Sequence, residues 1–247
     1  MLRLLLTLIL VTQTSFARSE SAPNVDQFIE IALGQEYAEG NTHLRRWEAP
    51  VRVELRASAA LPPAITGLID ELLALLNDAT DHPIERVSEA GNVQLYFVSQ
   101  RDAKTTWREI AAGEFPVDAL CAAQIKTSSS GVITAGIILI PADRAAQQGR
   151  LLSCVVEELT QITGLVNDSD KVFPSIFNDR STNQMLTPMD WLMLRALYRP
   201  ELQAGMSEAE VRRVVDQLLK ELMQSGELAK ATQKIRATQL FELLNVN

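Results

Sequence analysis

The sequence predicts an α+β fold in which helices pack on one mixed sheet. Stretches with strand periodicity lie mostly in the first half of the chain, and stretches with helical periodicity mostly in the second. No regular alternation of strand and helix runs through it, which argues against a doubly wound fold. Of the 247 residues, about 230 follow a short leader, enough for one large core or a core with a small appendage.

The elements follow in order. Met1-Leu2-Arg3 is a basic start, residues 4–11 are apolar, and Ser15-Phe16-Ala17 sets small residues before a cut after Ala17. That pattern describes a signal peptide over residues 1–17; its apolar run is shorter than the ~20 residues of a membrane span. Residues 18–50 are a lead-in with a helix over 24–33, where Val25, Phe28, Ile29, Ala32 and Leu33 share one face and Gly34 can end it. Residues 51–56 alternate apolar and polar, the period of a half-buried strand. Pro62-Pro63 opens a helix with an apolar face from Ile65 to Leu76. A second strand is predicted over 92–98, a short helix over 107–112, and a third strand, rich in Val and Ile, over 131–140. Residues 145–163 read as one helix and 173–185 as a polar loop. Thr187-Pro188-Met189-Asp190 is a capped helix start, and that helix should stop before Pro200. Ser207 to Glu210 is a second capping box, followed by Val211, Val214, Val215, Leu218, Leu219, Leu222 and Met223 on one face. A weaker helix over 227–244 closes the chain, so 201–247 reads as a helical extension packed on the domain.

The formal net charge is −8, and loss of the leader removes Arg3 and no acid. An acidic chain without a basic stripe is a poor partner for nucleic acid and for anionic membranes. The leader implies an exported protein, periplasmic or secreted, with no membrane segment after cleavage. In such a compartment Cys121 and Cys154 are expected to form a disulfide, the rival reading being two buried thiols.

On a helical wheel, Leu151, Leu152, Val155, Val156, Leu159 and Ile162 fill one arc, and Cys154, Glu157, Glu158 and Gln161 a neighbouring one. Glu157 and Gln161, at i and i+4, stand one above the other, with Glu158 at the border of the apolar stripe. Two ligand-type residues at that spacing, with Glu between them, follow the layout of a zinc-peptidase helix, H-E-x-x-H. Here the stretch is Glu157-Glu158-Leu159-Thr160-Gln161, then Ile162-Thr163-Gly164-Leu165-Val166-Asn167-Asp168. It resembles the metzincin pattern H-E-x-x-H-x-x-G-x-x-H-D with every histidine replaced. The resemblance implies a zincin-like fold over 51–200, a twisted mixed sheet packed by an N-terminal helix and an active-site-type helix. It puts Glu157, Gln161 and Asn167 at the ligand positions, Glu158 at the general base, Gly164 at the bend and Asp168 beside the third ligand. Ser175-Ile176-Phe177 stands at the methionine turn, with Phe177 in place of Met, although Phe177 also reads as core. The capped helix ending in Leu197-Tyr198 resembles the closing helix. In such folds the strand before the active helix edges a cleft where peptides add, so 131–140 is the candidate. The chain is also similar to a family of exported bacterial proteins of unknown function, through Ile31-Ala32-Leu33-Gly34-Gln35-Glu36-Tyr37, Leu44-Arg45-Arg46-Trp47 and the run from Glu157.

The departures decide the chemistry. His43 and His82 are the only histidines and neither lies near this helix in sequence; His82, before Pro83, reads as a turn residue. No cofactor is expected, zinc is disfavoured, and the oxygen-bearing set Glu157, Gln161 and Asn167 would suit only a hard cation such as Ca²⁺, Mg²⁺ or Mn²⁺. Three functions stay open: a non-catalytic pseudo-peptidase that binds a peptide or an exported partner, a hydrolase using Glu158 as base, and a structural domain in which Glu157, Glu158 and Gln161 form a solvated helix face. A glycosidase-type pair of Glu157 and Glu158 is set aside, because adjacent helix residues diverge by about 100°.

Overall fold

The computed structural model describes residues 23–34, 43–116, 119–178, 180 and 182–244. The leader therefore lies outside the described residues, as do Gln35, Glu36 and Tyr37.

The first helix, α1 (Val25–Leu33), is closed by a capping box between Asn24 and Gln27 and buries Phe28, Ile29, Ile31, Ala32 and Leu33. Two residues of strand follow, β1 (Arg46–Trp47), then β2 (Val51–Ala57), the long helix α2 (Ile65–Thr80), β3 (Ile84–Val87) and β4 (Val93–Val98). Helix α3 (Gln100–Ile110) leads to β5 (Ala122–Thr127) and the ten-residue β6 (Val132–Pro141). Helices α4 (Ala142–Gln147), α5 (Leu151–Gln161), α6 (Pro188–Leu197), α7 (Glu208–Gln224), α8 (Glu227–Arg236) and α9 (Gln239–Leu244) complete the described chain.

The sheet is mostly parallel. Strands run in the order β3-β2-β4-β6, all parallel to their neighbours. β1 adds in parallel to the first residues of β6, on the side that β4 takes further along. β5 pairs antiparallel on the opposite side and is the one strand of reversed direction among the described residues. The mixed α+β sheet of the sequence reading is therefore present, with more parallel character than predicted, because α2 returns the chain from the end of β2 to the start of β3 and β5 carries it back from the end of β4 to the start of β6.

Several boundaries are corrected. The predicted helix over 145–163 is two helices, broken at Gln148-Gly149-Arg150, where Gly149 takes φ +67°; glycine enters that region without the Cβ clash other residues meet. The short helix over 107–112 is only the end of α3, which starts at Gln100 behind a Ser99 cap and ends at Ile110. The closing helix splits into α8 and α9. Three strands escaped detection, the two-residue β1 among them. β3 is four residues long, and β5, Ala-Ala-Gln-Ile-Lys-Thr, has neither alternation nor β-branched density. The candidate cleft-edge strand is corrected as well: β6 is paired on both sides, so its backbone has no open edge, and β5 holds the outer position.

The core is continuous from α1 to α9. Trp47, Trp191, Phe28, Phe97 and Phe177 are its largest fully enclosed side chains. α2 buries Leu68, Ile69, Leu72, Leu73, Leu75 and Leu76 between the sheet side and the C-terminal helices; each such side chain contributes about 1.5–3 kcal/mol. α7 packs on α1 and α6, α8 on α6, and α9 on α2 and α5. A smaller cluster under α3 sets Trp107 edge-on to Phe115 at 5.5 Å.

Candidate functional site: the end of helix α5

Helix α5 is held at its start by covalent chemistry. Cys154 is bonded to Cys121, with Cα atoms 6.0 Å apart, which decides between the two readings of the cysteines. The bond ties α5 to the residue before β5 and removes Cys154 as a thiolate. α5 also packs against α2, α4, β6 and α9.

That packing leaves little of the helix in water. Glu158 is 4% exposed and Gln161 6%, while Glu157 is half-buried. The arc that a structural domain would turn to solvent is therefore enclosed at two of its three polar positions. Enclosed polar groups need partners, and the partners define this region.

The amide Nε2 of Gln161 donates to Asp168 Oδ1 at 2.8 Å, a bond across the bend that follows the helix. The bend is made at Gly164, with φ +121°. A Cβ there would run into the carbonyl oxygen of Arg45, so both backbone angle and space call for glycine. The last carbonyls of α5 are capped from outside. Trp47 Nε1 donates to the Ile162 carbonyl at 2.7 Å and the Tyr198 hydroxyl to the Thr163 carbonyl at 2.8 Å, which satisfies acceptors that a helix end otherwise leaves open.

Asn167, at the third-ligand position, turns toward α1. Its Nδ2 donates to the Glu30 carbonyl at 2.9 Å and its backbone N–H to the Ile31 carbonyl at 3.2 Å. Asn167 is 9% exposed. Gly34 lets the two segments meet: a Cβ on it would lie 2.5 Å from Asn167 Cγ. From the other side, Arg45 Nη2 donates to the Gly34 carbonyl at 2.6 Å. Ser169 Oγ donates to Glu30 Oε1 at 3.0 Å, and Lys171 Nζ lies 3.2 Å from the same oxygen. Arg46 closes the far end by donating to the carbonyls of Leu197, Arg199 and Leu202, with its guanidinium 5.2 Å from the Tyr198 ring centroid.

Beneath this region lies a second polar knot. Asp190, fully buried, accepts from Ser175 Oγ at 2.6 Å, from the N–H of Ile176 at 3.0 Å and from the N–H and hydroxyl of Thr187. Burial pushes its carboxyl up to about 6, while the four donors pull it down. The knot joins the turn at Ser175-Ile176-Phe177 to the start of α6. Phe177, at the methionine position, is fully enclosed, and its carbonyl accepts from the Ser169 N–H at 2.8 Å.

The residues at the ligand positions do not fit a zinc ion. Zinc sites are built from imidazole, thiolate and carboxylate, and here two of three positions are neutral amides already hydrogen-bonded within the chain. Neither histidine supplies what is missing. His82 places Nε2 2.8 Å from the Ala49 carbonyl and its ring 5.0 Å from that of Tyr198, and burial lowers its pKa. His43 sits beside Glu210 at the start of α7. Among the described residues, no three His, Cys, Asp or Glu side chains form a metal-type cluster.

A family model described as "Protein of unknown function (DUF2927)" matches residues 22–217. The chain belongs to the DUF2927 family. No curated protein and no solved structure matches it. The match runs from just before α1 into α7, so all the contacts around Gly164 fall inside the DUF2927 span. Those contacts join three stretches far apart in sequence: the end of α1 with Gly34, Leu44-Arg45-Arg46-Trp47, and Glu157 to Asp168. Each stretch supplies partners to another, and together they form one polar lock.

The sequence alone brings out Gln161, Gly164, Asn167 and Asp168, but neither the pairing of Gln161 with Asp168 nor that of Asn167 with the Glu30 carbonyl. Arg45 and Trp47 lie in the stretch Leu44-Arg45-Arg46-Trp47, and a tryptophan shortly before a strand is the available signal. Glu30 and Ser169 carry no signal of this kind, because their roles depend on where α1 docks.

Proposed function

We propose that this chain is an exported, non-catalytic binding module of metzincin-like descent, which takes an extended peptide or partner segment along the outer edge of β5. One observation carries the non-catalytic part. The side-chain amides of Gln161 and Asn167, at two of the three ligand positions, are committed to Asp168 and to the Glu30 carbonyl. Those bonds fix the orientation of both amides, and neutral amides in place of imidazoles do not build the site in which zinc activates a water. The zincin-like reading draws support from the sheet packed by α2 and α5, the bend at Gly164 and the capped helix α6. Export draws support from the leader sequence and from the disulfide, a bond characteristic of oxidising compartments. No helix among the described residues is long and apolar enough to cross a membrane.

The binding part rests on β5. Among the described residues no strand pairs on its outer side, and Lys126 and Thr127 at its end are exposed. An open edge of this kind recruits an extended chain through its backbone groups. The test is a proline scan over Ala123, Gln124, Ile125 and Lys126, read against an array of extended peptides. Successive N–H groups of an edge strand point alternately to the neighbour and to solvent. Proline at the solvent-pointing positions should abolish peptide retention and leave the circular dichroism of the folded chain unchanged. Peptide cleavage that disappears in Glu158→Gln would replace this reading with a hydrolase, and an array on which no peptide is retained would remove the binding part.

A further inference from the structure

The loop before α6 and the C-terminal helices enclose a second feature that the polar lock does not use. Pro174, Met185, Leu186, Pro188 and Met189 form one side of a cavity, and Ile235 and Phe241 the other. Its volume is about 160 Å³. A dry apolar cavity of about 150 Å³ is sufficient to hold a benzene-sized group. Its walls come from the segment 174–189, from α8 and from α9, so it lies apart from β5 and from the bend at Gly164.

The mouth is polar, and its charge has one sign. Asn183, Gln184 and Thr232 contribute amide and hydroxyl groups, and Arg236 contributes the only ionised side chain of the lining among the described residues. Arg236 is exposed and takes part in no hydrogen bond or ion pair among the described residues. Its neighbours differ: Lys230 pairs with Glu227 and Lys234 with Asp78. Asp190, a buried acid that follows Met189 in the chain, turns its carboxylate to Ser175, Ile176 and Thr187 and is not part of the wall. An apolar cavity with a few polar groups converging at its mouth is the usual form of a small-molecule site.

We infer that this cavity binds a small amphiphilic monocarboxylate, with an apolar body of six to eight carbons between Met185, Leu186, Met189, Ile235 and Phe241, and its carboxylate paired with Arg236 at the mouth. The guanidinium offers two parallel N–H donors that match a carboxylate. The size of the cavity suits a short chain, and a single guanidinium matches a single carboxylate.

Calorimetric titration of the whole folded chain with sodium octanoate tests this, with octanamide as the neutral isostere. One saturable site per chain is expected, with Kd of about 1 mM or tighter. Arg236→Gln should weaken octanoate about tenfold and leave octanamide unchanged. Thr232→Phe, a half-exposed position on the wall, should fill the space and abolish both. If octanoate gives no saturable heat at about 10 mM, or if its binding ignores both substitutions, the assignment is overturned. Equal weakening of octanoate and octanamide by Arg236→Gln would overturn the carboxylate pairing.

Discussion

Replacing Asn167 by Ala tests the polar lock directly. The substitution removes the Nδ2 donor that lies 2.9 Å from the Glu30 carbonyl and leaves the backbone bond from residue 167 to Ile31 in place. A buried hydrogen bond contributes about 1 kcal/mol net, and an acceptor left without its donor costs about 1–3 kcal/mol. The expected loss is about 2 kcal/mol, felt mainly by α1. α1 stays on the protein, because Phe28, Ile31, Ala32 and Leu33 are buried and Arg45 still holds the Gly34 carbonyl. The exposed pair between Arg212 and Asp26 adds little. A local loss of 2 kcal/mol raises the open population of the helix about 30-fold. Amide hydrogen exchange over Val25–Leu33 should therefore accelerate by about that factor, while exchange in β4 and β6 follows global stability alone. Asn167→Asp should be worse than Ala, since it sets a carboxylate against a carbonyl oxygen. Unchanged exchange in α1, or an Asp variant as stable as the parent, would refute the role given to this side chain.

Two further outcomes follow from the same structure. Reducing the bond between Cys121 and Cys154, which are 33 residues apart, should lower stability by about 4 kcal/mol on chain-entropy grounds; urea unfolding with and without reductant measures it, and a change under about 1 kcal/mol contradicts the expectation. The Asp190 carboxyl, raised from 3.8 to about 6, holds its proton more tightly folded than unfolded. Its contribution is thus complete below about pH 4 and lost as pH rises through about 6, a swing of about 3 kcal/mol. His82, lowered by burial, acts in the opposite direction, so the comparison is between the parent and Asp190→Asn, whose curve should lack the fall; parallel curves would show that the hydrogen bonds hold Asp190 ionised.

What the sequence made legible follows local physics. Strong periodicity and capping chemistry located α1, α2, α6 and α7, because an apolar face and a cap are written within a few residues. The bend at Gly164 was readable since only glycine suits that conformation. β3 and β5 were not, because short strands depend on their neighbours for stability and carry little pattern of their own. The break at Gly149 was hidden by apolar residues on both sides that continue a helical period. At the site, spacing identified Gln161 and Asn167 as unusual, yet spacing along one helix says nothing about a carbonyl on α1. Their use as structural donors emerged only once Glu30 and Asp168 were placed beside them.

The bond from Asn167 to the Glu30 carbonyl spans 137 residues. During synthesis, α1 emerges long before the side chain that anchors it exists. Closing so large a loop is entropically slow, and it gains nothing until the sheet and α5 have brought the far end near. A segment made among the first is thus seated among the last. Until then, the apolar surface of Phe28, Ile31 and Leu33 lacks the neighbours that bury it in the finished fold.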